Sequence, residues 1–368
     1  MFSIEYNRMT KKDPKTKNAF VLIHFGSNPK YLELEIYFCI MLKKYTKTNI
    51  VYMYSVLDTP ASFAREISPY VYKTIGFNDS GITYNVNFTS NYSSFNTLRT
   101  CDFIFAYTLT EYEKICIVES DLVIMSEEIN DVFNQKMPAM VCYRCGNDSE
   151  WNRNLLYTSN KKEVLRDCTE KSGMNGGVIV FEPSETKFQE YLHAVPIIAS
   201  TGCKYPNEAL FEYVNERFYN LPVRFNISHY HTLRLKKYEM NPNGKDVVVF
   251  HFNETAHKHL DVLKDNWLEE NRNNPKYKIK LLPIMHFKNT IYDHYHSEVE
   301  AILSRVEGNK QIDDDWIEVY TNTYDTNYWY NRVTGESVWI KPMNGGGSRK
   351  SRRLKPYKNR RTAKIHNS

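Results

Sequence analysis

"KICIVESDLVIM", Lys114 to Met125, decides how this chain is read. It is an apolar run broken once, by Glu119-Ser120-Asp121. A strand apolar on both faces suits a parallel sheet covered by helices, and the crevice at the carboxyl ends of such strands is where open α/β sheets bind ligands. Side chains two residues apart on extended backbone point the same way, so Glu119 and Asp121 would converge. Converging carboxylates repel unless a cation lies between them, and their oxygens suit Mg or Mn. From spacing alone two readings stand: a metal site and a solvated turn.

The surroundings extend the pattern. "NAFVLIHF" (18–25) is a continuous apolar run ending in "GSNP", and "KYLELEIYFCIMLKKY" then shows helical spacing at Leu32, Ile36, Cys39 and Leu42. A second run, "NIVYMYSV" (49–56), follows. Residues 95–112 read as a further helix, with Leu98, Cys101, Phe105, Leu109 and Tyr112 on one stripe. "PAMVCYR", "GGVIVFEP" and "DVVVFHF" read as later strands, with helix patterns at 184–194 and 206–217. The class is α/β with an open sheet.

Length and composition bound the rest. At 368 residues, with 42% hydrophobic and 25% charged residues, the chain fits one large soluble domain plus a smaller unit. The 28 tyrosines and 19 phenylalanines exceed ordinary usage, which puts many tyrosines at surfaces or clefts. No apolar window approaches the roughly 18 residues of a membrane span, and the first residues lack the apolar core of an export signal. The expectation is a soluble, intracellular (cytosolic) protein with no membrane span, in which the six Asn-X-Ser/Thr sequons are incidental. Seven cysteines in apolar contexts read as reduced, buried thiols. Cys142 and Cys145 of "CYRCG" have metal-ligand spacing, but no second pair or paired His completes a zinc site. The tail from Asn344 onward, "NGGGSRKSRRLKPYKNRRTAKIHNS", carries nine Lys and Arg and no acid; set against a chain total of +5, it leaves residues 1–343 at −4. A Gly-rich hinge before like charges reads as a disordered basic arm for a phosphate-rich or acidic partner, or as a solubilising or targeting tail.

Four motifs, "YTLTEYEKICIVESDLVI", "MNGGVIVFEPS", "YPNEALFEY" and "VVVFHFN", stand in an order and spacing that resemble glycogenin-like glycosyltransferases of family 8, over about Asn18 to Trp267. The resemblance implies a single Rossmann-like mixed sheet of the GT-A nucleotide-sugar transferase type. It implies Mn(II), with Mg as the variant, held by Glu119, Asp121 and His251, where the family has Asp-x-Asp and a later His. Asn175 matches a family Asn beside the donor sugar, and Gly176 and Gly177 let backbone approach a ligand closely. Asn207 and Glu208 match an Asp-Gln pair beside the anomeric carbon, so the family's carboxylate is an Asn here and Glu208 is the alternative. The family's Lys before Asp-x-Asp falls on Phe103, with Arg99 one turn earlier, and its later phosphate-binding Lys corresponds to Lys258 or His257. His24, Asn28 and Tyr31 lie in the loop that seats the nucleotide, with Tyr31 placed to stack on uracil.

Near the C-terminus, "DDDWIEVYTNTYDTNYWYNRVTGESVWIKP" resembles a WW domain, a three-stranded all-β module, through Trp316, Tyr328-Trp329-Tyr330, Asn331, Trp339 and Pro342. Tyr328, Tyr330 and Trp339 would bind a Pro-rich peptide, and Trp316, Trp329 and Pro342 would form the opposite core. The expected organisation is a transferase domain over 15–270, a helical connector over 271–311, a WW domain over 312–343 and a basic disordered tail over 344–368. The expected activity is transfer of a hexose, glucose first, from a UDP-sugar to a hydroxyl of a glycan or protein, with retention. The competing reading is an inactive transferase-fold scaffold localised by its WW domain and basic tail. The composition also has a vague likeness to proteins of large DNA viruses, which adds virion association as a second location.

Overall fold

The computed structural model describes residues 17–78, 100–143, 153–168, 173–228, 246–252, 278–308, 316–321, 326–331 and 337–338. Two compact units divide the chain, Met1–Asp314 and Asp315–Ser368. No helix among the described residues is long and apolar enough to cross a membrane.

The first unit is a mixed α/β structure around an eight-stranded sheet, in the order β3 (Lys73–Phe77), β2 (Asn49–Ser55), β1 (Asn18–His24), β4 (Lys114–Val118), β8 (Met174–Phe181), β6 (Ala139–Cys142), β9 (Arg217–Asn220) and β7 (Leu156–Thr158). β3, β2, β1 and β4 run parallel, and β8 is antiparallel to both of its neighbours. From β1 the chain crosses through helix α1 (Pro29–Tyr45) to β2 on one side, while β4 pairs on the other. The carboxyl ends of β1 and β4 therefore meet at the point where strand order reverses, which is where such sheets form a crevice.

Alternation along β1 feeds two cores. Phe20 and Leu22 pack with α1, whereas Ala19 and Val21 pack with Phe105, Tyr191 and Phe211 on the opposite face. Helix α1 begins at a Pro in its first turn, capped by Asn28, whose side-chain oxygen accepts from the Lys30 N–H. It is not a one-sided helix: every residue from Leu32 to Leu42 is buried, Glu33 and Glu35 included. The outer side is covered by chain that reads as a connector in the sequence. Helices at Lys278–Phe287 (here α6) and Asp293–Gly308 (α7) bring Phe287, Val299, Ile302 and Val306 into the core cluster of α1, and the Tyr37 hydroxyl meets His296 Nδ1 at 3.1 Å.

Two local expectations are corrected. Thr100–Thr108 is a 3-10 helix, with every residue from Cys101 to Tyr107 buried; residues 95–99 lie outside the described ones. Among the described cysteines, Cys39, Cys101, Cys116, Cys168 and Cys203 are free buried thiols, but Cys142, where β6 ends and the chain bends, is disulfide-bonded.

A small second sheet follows the turn at the end of β4. β5 (Leu122–Ile124) pairs antiparallel with β11 (Val249–His251), which pairs parallel with β10 (Ile227–Ser228). The second unit contains a three-stranded antiparallel sheet, β12 (Trp316–Thr321), β13 (Thr326–Asn331) and β14 (Ser337–Val338), with Trp316 opposite Asn331 and Tyr330 opposite Ser337.

Candidate metal centre

Three chain segments converge where β4 ends. The Glu119 N–H donates to the Gly177 carbonyl (3.1 Å), tying the turn to β8, and the Phe252 N–H donates to the Asp121 carbonyl (3.2 Å), tying it to the end of β11. Pairing of β5 with β11 sets Leu122 opposite His251, so the histidine arrives beside Asp121. His251 Nε2 lies 3.2 Å from Glu119 Oε2 and 3.2 Å from Asp121 Oδ1. One ligand atom from each of the three residues falls within 4.8 Å of the others, a donor set that fits one divalent cation. Burial disfavours a charged His251, but Asp121 and Glu119 outweigh it and push its pKa up to about 10. The pocket thus favours positive charge at the position between the carboxylates.

The far nitrogen, His251 Nδ1, lies 2.9 Å from Asn226 Oδ1 and 3.1 Å from Asn175 Oδ1. Asn175 Oδ1 also accepts from the Gly177 N–H at 3.0 Å. Asn175 therefore engages the back of the histidine. The glycine pair keeps this side close-packed: a Cβ on Gly177 would stand 2.4 Å from His251 Cε1, and one on Gly176 would stand 2.6 Å from the end of the Asn207 side chain, Nδ2.

A cleft of about 250 Å³ opens beside the triad, with Tyr31, Phe103, Glu119, Asp121, Gly176 and Asn207 in its wall. Asn207 and Glu208 sit in the first turn of the helix Pro206–Val214 (α5). Glu208 Oε1 accepts the Gly176 N–H at 3.1 Å, which couples this helix to the glycine pair. Tyr31 is 41% exposed in the wall of this cleft. Asn28 uses its side chain as the cap of α1. Arg99, Lys258 and Trp339 lie outside the described residues; Tyr328 and Tyr330 lie two apart on β13 in the second unit.

The floor of the cleft holds a pair that residue spacing does not announce. His24 Nδ1 meets Glu35 Oε1 at 2.8 Å and its Nε2 donates to the Gly26 carbonyl at 2.9 Å, while the Tyr52 hydroxyl donates to Glu35 Oε2 at 2.9 Å. Gly26, at φ +90°, is held at its N–H as well, by Asp58 Oδ1 at 3.1 Å. Both backbone polar groups of Gly26 are thereby held in the loop leading to Tyr31. The other residue that sequence reasoning missed is Asn226, in "FNIS", one of the six sequons. It is fully buried, so its amide serves the interior. A lone polar residue between apolar neighbours was the only signal.

No protein-family model matches the chain, and no curated protein matches it. Among solved structures it is similar to the bifunctional glycosyltransferase WbbM at 14% identity and TM-score 0.45, over 74% of this chain and 52% of that one. It thus spans about half the length of that protein. It is also similar to the glycosyltransferase GlyE of Streptococcus pneumoniae, at 15% identity and TM-score 0.43 over 78% of this chain and 64% of that one. A third similar structure is the galactosyltransferase LgtC in complex with donor and acceptor sugar analogues, at 11% identity and TM-score 0.39 over 76% and 99% of the two chains.

Proposed function

We propose that the first unit is a metal-dependent retaining glycosyltransferase that moves a hexose, glucose first, from a UDP-sugar to a hydroxyl of a glycan or protein. The observation that carries the reading is the convergence of Glu119, Asp121 and His251 at the carboxyl end of β4, beside a cleft. In this reading these three residues hold Mn(II), or Mg(II) in its place. The bound ion supplies Lewis-acid neutralisation of the diphosphate leaving group. Tyr31 stacks on the base, and Gly176 brings backbone close to the sugar. Asn207, in the cleft wall, orients the donor by hydrogen bonding and cannot form a covalent glycosyl ester. Glu208, the alternative carboxylate, is engaged by the Gly176 N–H, and in this reading the glycosidic oxygen leaves from, and the acceptor oxygen adds to, the same face, with the acceptor proton passing to the departing phosphate. Glu208, held to Gly176, keeps Asn207 and the glycine pair in register. Arg99 and Lys258 are proposed as phosphate contacts.

The second unit is proposed as a WW module in which Tyr328, Tyr330 and Trp339 take a Pro-rich peptide, and the basic tail as the contact for a phosphate-rich or acidic partner. A soluble, intracellular setting accords with both. Phe103, in the cleft wall where a phosphate-binding Lys is expected, favours the second reading, an inactive scaffold that binds donor without turnover. Incubation of full-length protein with Mn(II) and radiolabelled UDP-sugars decides between them. Turnover lost in Asp121→Ala and His251→Ala supports the enzyme; metal-dependent UDP binding without turnover supports the scaffold. The absence of both in the wild type refutes the transferase reading, and release of free sugar alone would mark water as the acceptor.

A further inference from the structure

Deepening the metal-dependent reading above, on which it rests, we propose that Asn226, together with Asn175, is a positioning pair that fixes His251 as its Nδ1–H tautomer and so turns the Nε2 lone pair on the metal position. Asn226 Nδ2 lies 3.2 Å from the Asn175 main-chain carbonyl and 2.9 Å from Asn175 Oδ1. A main-chain carbonyl only accepts, so the Asn226 nitrogen is the donor and its Oδ1 is the atom left facing His251 Nδ1 at 2.9 Å. The Asn175 amide is set independently, because the Gly177 N–H donates to its Oδ1. Two oxygens with no proton to give thus face Nδ1, and Nδ1 must carry the hydrogen. The remaining nitrogen, Nε2, is the one 3.2 Å from each carboxylate.

The pair stands on rigid backbone. Asn226 directly precedes β10, whose Ser228 lies opposite His251 in the parallel pairing with β11. Its N–H donates to Val223 O at 2.9 Å, and its carbonyl accepts from the Tyr143 hydroxyl at 3.0 Å. Both asparagines are buried, Asn226 at 0% and Asn175 at 4% exposure, so water does not substitute for these bonds. Outer partners that orient a ligating imidazole change metal affinity by roughly 10–100-fold when removed.

The test uses full-length protein and a divalent cation alone, with Mn(II) affinity read from water-proton relaxation and the His251 tautomer read from ring-nitrogen NMR of the Mg(II)-loaded protein. Asn226→Leu keeps the branched outline of the side chain and removes the acceptor; about 10–100-fold weaker Mn(II) binding and loss of the Nδ1–H signature are expected. Asn226→Asp keeps an oxygen facing Nδ1 and is expected to retain most of the affinity. Wild-type affinity in Asn226→Leu, or an Nε2–H tautomer in the Mg(II)-loaded wild type, overturns the proposal while leaving the metal site standing. Failure of the wild type itself to bind Mn(II) brings down both. If Asn226→Leu does not fold, the wild-type NMR signature and the Asp variant decide alone.

Discussion

A methyl group on Gly177 would stand 2.4 Å from His251 Cε1 and 3.2 Å from Asn226 Oδ1, in the tightest part of the site. The imidazole cannot yield without breaking its bonds to the asparagines. Gly177→Ala is expected to weaken Mn(II) binding at least as much as Asn226→Leu and to cost about 1–3 kcal/mol of stability through overpacking; titration calorimetry and urea unfolding would check the two effects. At Gly176 the obstruction is the end of the Asn207 side chain, which can swing away. Gly176→Ala is therefore expected to fold normally and to lose turnover through a displaced Asn207, a difference visible in kcat with the melting temperature unchanged. At this scale the triplet Glu119-Ser120-Asp121 alone leaves a metal site and a solvated turn both open, and it is the resemblance of four motifs that joins His251 to it; the fold brings the three side chains together. Asn226 and the His24–Glu35 pair were not legible in the sequence: an isolated Asn in "FNIS" or Glu in an apolar helix has many uses, and only the fold brings its partner within reach.

Among the elements, α1 shows what periodicity hides. A stripe at Leu32, Ile36, Cys39 and Leu42 describes one apolar face, yet the helix is buried all round because α6 and α7 return from far along the chain to cover it. The core position of Ile302, 4% exposed, follows from this return. Ile302→Ala is expected to cost roughly 2–5 kcal/mol, read as a lowered urea midpoint. Burial of α1 also explains its carboxylates, since Glu35 is paired with His24 across to β1. Burial opposes a charged His24, but the Glu35 carboxylate and the Gly26 carbonyl prevail and hold its pKa above the ordinary 6.5. In the metal-free protein His24 and His251 are both raised, so the folded state keeps protons that the unfolded state gives up. Their stabilisation is complete below about pH 6.5 and is lost as pH rises through the raised values. Unfolding midpoints in EDTA should fall over that range. Glu35→Gln should remove the His24 share, and Mn(II), which requires a neutral His251, should remove the other.

The whole molecule contains two compact units, and the proposed functions fall on different ones. Removing residues 315–368 is expected to leave Mn(II) affinity unchanged, because the ligand trio and its supporting asparagines all lie in the first unit. The same deletion should abolish capture of a Pro-rich peptide, and Trp339→Ala in the full chain should do so alone. Deleting only 344–368 removes nine positive charges and should lower the salt needed for elution from an anionic polymer column.

The three candidate metal ligands are brought together only by the finished fold. His251 follows Asp121 by 130 residues and reaches it through the pairing of β5 with β11. An unfolded chain does not present such a set, so a bound ion acts as a removable cross-link on the native state alone. At a free concentration about 100 times its dissociation constant, it would add about 2.7 kcal/mol to the unfolding free energy. Thermal denaturation should therefore shift upward with Mn(II) concentration in a scan that needs neither donor nor acceptor, and Asp121→Ala should abolish that shift.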